Sequence, residues 1–278
     1  MQKAFSTYLF RESVLGVHLL DQVARAGFEW IEVYCSRQHF DYTNPGHVRE
    51  IAEWFADSPV KLHSLHSPLS HDPEGTSHHS VVSIAFVEKQ RRQDSMDEIK
   101  RALEVAESVP FRYLVTHLGV PGEEYDLRKF DAALTSLEHL RLFASQRGVE
   151  ILLENIPNEL STPGRLLEFF QHTHLRDLRV CFDSGHAQLD GNVREALAKL
   201  ENSIAAVHLH DNGGTADDHR LPFEGILPWK DFIPNLARTA PEAAWLLEFR
   251  DAERTHYDLD KAAGVFARFE RILEEREA

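Results

Sequence analysis

Cysteine is scarce: Cys35 and Cys181 are the only two in 278 residues. Both stand far apart in apolar, strand-like runs, which suits reduced buried thiols rather than a disulfide framework, and a cytoplasmic location is expected. Long apolar runs are also missing; none approaches the ~20 residues of a membrane span, and Met1 to Phe10 has no apolar leader core, so neither export nor a membrane partner is expected. Basic blocks are absent beyond Arg91 and Arg92, and 30 Lys/Arg against 45 Asp/Glu leave a net charge of -15. A chain of that sign repels phosphate backbones, so nucleic acid is disfavoured as a partner. No phosphate-cradling glycine loop, serine nucleophile elbow or zinc-finger spacing occurs. No Gly/Ser-rich linker breaks the composition, so residues 1–278 are expected to form one domain.

What is present is alternation. Short β-branched and aromatic runs recur at Ala4–Leu9, Trp30–Tyr34, Val60–Leu65, Tyr113–Thr116, Glu150–Glu154, Arg179–Phe182, Ala205–Leu209 and Ala244–Phe249. Between them lie stretches with helical apolar spacing, such as Met96, Ile99, Leu103 and Ala106, or Phe130, Leu134, Leu137 and Phe143, or Leu259, Ala262, Phe266 and Phe269. Thr162-Pro163 offers a hydroxyl cap ahead of a proline at a helix start. Eight strand-helix units in 42% apolar sequence predict the α/β class, as a single (β/α)8 TIM barrel.

Barrels of this kind gather their chemistry at the carboxyl ends of the strands, where neighbouring strands point into one mouth. Six strands here end in potential metal ligands: His66, His117, Glu154, Asp183 with His186, His208, and Glu248. A single such residue is as readily a satisfied polar cap; the recurrence is what suggests convergence on an ion. Crowded carboxylates repel unless a cation lies among them, and mixed imidazole and carboxylate donors suit zinc, manganese, iron or cobalt. Two long connections, His66 to about Ser80 and His210 to Trp229, fall on the same face and are rich in His, Asp, Gly and Pro.

The motifs Leu153-Glu154-Asn155, Phe182-Asp183-Ser184-Gly185-His186 and His208-Leu209-His210-Asp211 resemble the xylose isomerase-like superfamily, which includes sugar (phosphate) isomerases and epimerases and the endonuclease IV type of apurinic endonuclease. Resemblance to the epimerase branch implies one ion on Glu154, Asp183, His208 and Glu248, with His186 near the substrate. Resemblance to the endonuclease branch implies a larger cluster completed by His66, His117, His186, Asp217 and His219, so that one to three divalent ions are expected.

The leading expectation is a metal-dependent isomerase or epimerase of a small sugar or polyhydroxy carbonyl compound. Glu154 and Glu248 would move the proton and His186 would position the enediolate oxygen. The alternative is an endonuclease IV-like multinuclear phosphodiesterase. The segment from Asp217 to Trp229 resembles a family loop, D-x-H-x-x-P-G-x-G-x-I-x-W, but has Phe223 where the pattern has glycine, which leaves the loop's path open. Arg37, Glu224 and Trp229 are candidate substrate contacts; a surface ion pair for Arg37 and a core anchor for Trp229 are the competing readings. His71, His78 and His79 read mainly as solvated loop residues. A homodimer is expected only by analogy with other barrels.

Overall fold

The structure is a computed structural model that describes residues 1–72, 80–175, 178–250 and 259–277. His78 and His79 lie outside the described residues. Eight parallel strands close on themselves in sequence order: β1 (Gln2–Ser6), β2 (Trp30–Tyr34), β3 (Lys61–His66), β4 (Tyr113–His117), β5 (Glu150–Glu154), β6 (Arg179–Asp183), β7 (Ile204–Leu209) and β8 (Ala244–Leu247). Around them run α1 (Val17–Arg25), α2 (Pro45–Asp57), α3 (Lys89–Leu103), α4 (Leu127–Ser145), α5 (Pro163–His172), α6 (Ser184–Leu189), α7 (Val193–Leu200), α8 (Trp229–Thr239) and α9 (Leu259–Glu277). This is the (β/α)8 barrel that the alternation predicts.

Strand limits differ from the sequence reading where polar side chains intervene. β1 stops at Ser6, whose hydroxyl accepts from Tyr8 N and caps a 3-10 turn over Thr7–Phe10, so the expected continuation to Leu9 is helical instead. β8 stops at Leu247, although Glu248 N still donates to Leu209 O at 3.2 Å. Helix starts follow the expected chemistry: Thr162 Oγ1 accepts from Arg165 N just before Pro163. Of the stripe on α3, Met96, Ile99 and Leu103 are buried, whereas Ala106 falls in a following 3-10 turn and is only partly covered.

The main core lies between sheet and helices, with Phe5, Phe169, Phe232, Phe266 and Phe269 fully buried. The barrel interior holds two small clusters, Tyr113, Val115, Leu152, Cys181, Ala205 and Ala206, and Ala4, Ala244 and Leu246 against Trp30. Alternation along each strand then carries the same inward face to Ser6, Glu32, Glu154, Asp183 and His208, so the interior changes from apolar to polar toward the carboxyl ends. Register shifts between Ile31 and Glu32 on β2 and between Val180 and Cys181 on β6 bring Glu32 level with Ser64 and Asp183 level with His208. Both cysteines are free and buried. No helix among the described residues is long and apolar enough to cross a membrane.

Candidate metal centre

The strand ends converge as one basin. His66, His117 and Glu154 form one group of donors; Glu154, Asp183, His208 and Glu248 form a second; His186, His210, Asp217 and His219 form a third, the donor atoms of each lying within 4.8 Å of one another. Glu154 belongs to two groups and is the centre of the arrangement. Its Oε2 stands 3.0 Å from His117 Nε2 and 3.4 Å from His66 Nε2, while Oε1 stands 3.3 Å from His208 Nδ1 and 3.4 Å from His186 Nδ1. Asp217 Oδ2 is shared in the same manner by His219 Nε2 at 3.1 Å and His186 Nε2 at 3.3 Å.

Local backbone chemistry aims these rings. His66, His186 and His219 each place Nδ1 against a carbonyl, those of Ser67, Asn155 and Glu248 respectively, which turns Nε2 inward. Asp183 caps α6 by accepting from His186 N at 2.7 Å, so one carboxylate fixes where the next donor starts. Gly185 is required beside it, because a Cβ there would stand 2.1 Å from the His210 ring. His210 Nε2 lies 3.0 Å from both Asp183 oxygens, and its ring stacks on His219 at 3.9 Å.

The loop after β7 is built around buried Asp211, which accepts from Asn212 N, Phe223 N, Leu227 N and Trp229 Nε1. Arg250 clamps the same loop from the β8 side by donating to the carbonyls of Asp217 and Asp218. Phe223 takes φ +77°, so the backbone keeps a conformation suited to glycine although the residue is not glycine. Its ring offsets that strain by packing on Trp229 and Phe269 beneath the Arg268 guanidinium. His219 also has positive φ, +49°, which places strain at a donor residue.

The electrostatics ask for positive charge. The Glu154 carboxyl is held well below its usual range despite burial, which opposes ionisation, because His208, His117 and His186 surround it. Burial likewise opposes charge on Glu248, yet His208 and His219 bring it down to about 2, and Asp217 is lowered against burial by His186 and His219. Among the imidazoles, burial disfavours the cation throughout. Glu154 nevertheless raises His66 to about 9, and Asp183 raises His186 and His210, whereas His117 and His219 fall below the ordinary value.

This donor set fits a transition-metal or zinc ion. Two ligands of a tetrahedral ion with bonds of about 2.0–2.1 Å stand roughly 3.3 Å apart, and the nitrogen-oxygen gaps around Glu154 and Asp217 are 3.0–3.4 Å. Two buried atoms in the basin, His117 Nδ1 and Asp217 Oδ1, have no hydrogen-bond partner. The four carboxylates pair with imidazoles, as in the Glu154, Asp183, Asp217 and Glu248 contacts.

All nine donors expected from the sequence come together: His66, His117, Glu154, Asp183, His186, His208, Asp217, His219 and Glu248. The three candidate substrate contacts do not, and for Arg37 and Trp229 the competing readings, an ion pair and a core anchor, fit instead. Arg37 turns away to a bidentate pair with Glu98, a partner 61 positions along the chain. Glu224 is exposed in the turn after Leu221, and Trp229 is buried as the first residue of α8, held by Asp211. His71 lies 3.5 Å from Glu98 and stays partly exposed. His210, Glu32, Tyr8 and Tyr34 join the nine donors without being among the candidates named from sequence. Strand parity carried a signal for two of them, since Trp30, Glu32 and Tyr34 share the inward face of β2.

Over the donors lies a cavity of about 170 Å³, walled by Tyr8, Tyr34, Leu69, Ile156 and Pro157. Tyr8 meets Tyr34 edge to face at 5.1 Å and packs 5.0 Å from His219.

Residues 20–268 match the sequence profile of a family described as xylose isomerase-like TIM barrel. The uncharacterized protein MJ1311 of Methanocaldococcus jannaschii is 26% identical over 249 residues, spanning 85% of this chain and 80% of that protein. A probable endonuclease 4 of Natranaerobius thermophilus is 30% identical over 175 residues, 55% of this chain and 61% of that one. Among solved structures, a D-tagatose 3-epimerase-like protein superposes with a TM-score of 0.80 at 24% identity, each chain covered in full, a likeness of fold.

Proposed function

The chain belongs to the xylose isomerase-like TIM barrel family, and from that premise we propose that it is a metal-dependent isomerase or epimerase of a small sugar or polyhydroxy carbonyl compound. The observation that carries the reading is a pair of glutamates, Glu154 and Glu248, in one four-residue donor group beneath a small, tyrosine-walled cavity. At about 170 Å³ the cavity is smaller than the roughly 300–1,000 Å³ of drug-sized sites, and it suits a compact polyol. The tyrosine rings present apolar faces to C–H groups and the imidazoles present polar edges to hydroxyls.

Glu154, Asp183, His208 and Glu248 would hold zinc, manganese, iron or cobalt, and a bound cation of this kind polarises a carbonyl and its neighbouring hydroxyl, making the adjacent C–H more acidic. One glutamate then removes the carbon-bound proton; return by the other to the opposite face of the same carbon gives epimerisation, and delivery to the former carbonyl carbon, with the hydroxyl proton passing to the former carbonyl oxygen, gives isomerisation. His186, anchored through Nδ1 on Asn155 O, directs its other nitrogen to the enediolate oxygen. Leu69, Ile156 and Pro157 limit water access while the carbanion persists. Two buried free thiols accord with a reducing, cytoplasmic setting.

The test is deuterium incorporation from heavy water into a panel of ketoses and their phosphates, with wild type, Glu154→Gln and Glu248→Gln. Exchange confined to wild type supports the reading. If both variants keep metal and full turnover, it fails.

A second reading, phosphodiester hydrolysis at abasic sites, is favoured by the two further donor groups and by the similarity to a probable endonuclease 4. Several ions held together can activate water and stabilise a leaving oxygen. The acidic balance of the chain weighs against it. Chelator-sensitive cleavage of an abasic duplex would reverse the ranking.

A further inference from the structure

Beneath the donor basin a carboxylate is buried that belongs to none of the three donor groups. Glu32, on β2, has no exposure. Its Oε1 accepts from Ser6 Oγ at 3.3 Å and its Oε2 from Ser64 Oγ at 2.7 Å, neutral donors from the strands on either side. The remaining contact crosses the barrel: His208 Nε2, on β7, lies 3.2 Å from Glu32 Oε2. His208 therefore stands between two layers of carboxylate. On its other side Nδ1 faces Glu154 Oε1 at 3.3 Å, Glu248 Oε2 at 3.4 Å and Asp183 Oδ2 at 4.0 Å.

We propose that Glu32 is the positioning residue of the metal centre, holding His208 by Nε2–H so that the Nδ1 lone pair is the one presented to a divalent cation among Glu154, Asp183 and Glu248. The inference rests on the metal-dependent reading above.

Three features make Glu32 suited to this task. Serine hydroxyls on both neighbouring strands fix the carboxylate without neutralising it, so its acceptor strength is directed at the imidazole. The register shift beside Glu32 sets Ser64 opposite it. His208 uses the opposite nitrogen from His66, His186 and His219, which anchor Nδ1 on backbone carbonyls and turn Nε2 inward. Ring orientation at His208 thus depends on a side chain where at His66, His186 and His219 it depends on backbone. A ligating histidine whose second nitrogen is held by a carboxylate is both oriented and made more basic, and loss of such a partner lowers metal affinity by about 10–100-fold.

The experiment strips the full-length protein of metal and titrates it with Zn2+ against a chelating dye, for wild type, Glu32→Gln and Ser6→Ala. Expected are tight uptake by wild type, about 10–100-fold weaker uptake by Glu32→Gln, and a smaller loss in Ser6→Ala, which removes one of the two hydroxyl bonds that fix the same carboxylate but leaves its contact with His208. Thermal unfolding of the metal-free proteins separates a loss of stability from a loss of affinity. If wild type takes up no metal, the metal-dependent reading falls and this inference with it. If wild type binds and Glu32→Gln binds equally, only the role of Glu32 falls. Should Glu32→Gln fail to fold, nitrogen-15 NMR of the zinc-loaded wild type decides: His208 must show Nε2 protonated and Nδ1 metal-bound, and the reverse pattern overturns the inference.

Discussion

Two buried carboxylates, Glu98 and Glu154, are surrounded by opposite kinds of chemistry. Glu98 on α3 is met by the Arg37 fork, by Arg101, by Tyr42 Oη and by His71, so permanent guanidinium charge neutralises it in place. Glu154 at the end of β5 is met by four imidazoles, His66, His117, His186 and His208. Arginine cannot surrender its proton, whereas histidine can exchange a proton for a metal ion. Glu98 is thus a finished joint between the loop after β2 and α3. Glu154 is a seat whose counter-charge can come and go.

Several experiments break or sharpen this contrast. The largest effect is expected from Glu154→Gln, which should lower turnover by about 10²–10⁴-fold, while Glu98→Gln leaves turnover within a few fold. Loss of metal in the Glu98 variant would break the comparison. Chelation comes next: with free metal near 1,000 times its dissociation constant, removing it should cost about 4 kcal/mol of stability, read as a lower thermal midpoint in wild type and no change in Glu154→Gln.

An imidazole with neither carboxylate nor cation beside it sharpens the point. His39 hydrogen-bonds to Ser13 O and Thr7 Oγ1, and burial lowers its pKa from 6.5 to about 4. The unfolded chain therefore takes up the proton first, and stability present above pH 6.5 is lost as pH falls toward 4, by up to about 3 kcal/mol. Urea denaturation across that window should show a shallower loss in His39→Gln; His63, lowered to about 4 as well, keeps part of the slope in the variant. An unchanged slope would mean that His39 is already charged in the fold.

Smaller again, Glu98→Gln should destabilise by about 2–3 kcal/mol, below the full cost of breaking a buried pair because Arg37 keeps some access to water. Arg37→Lys, which keeps charge but loses the fork, should cost about 1 kcal/mol in the same assay.

How much of this could be read in advance follows from the range of each interaction. The barrel was legible because every unit announces itself locally, and the strand-end donors because parallel strands place their carboxyl ends together; Asp217 and His219, on the loop after β7, were legible only through the family resemblance. Arg37 was misdirected because Glu98, its partner, is remote in sequence and sits on a helix face that its own stretch of chain says nothing about. Glu32 was passed over although its inward parity was visible; what could not be seen was that β7 lies across the barrel at the matching height. Trp229 held a core position because Asp211, quoted as part of a donor motif, turns out to organise a loop.

Phe223 leads to one last consequence. Its ring is sandwiched between Trp229 and Phe269, and Arg268 covers it, so the segment bearing Asp217 and His219 is stapled to α9. Two of the donors thus sit on a loop that is held from within by Asp211, from the β8 side by Arg250, and from outside by a helix far along the chain. Placement of those two side chains is thereby coupled to the docking of α9.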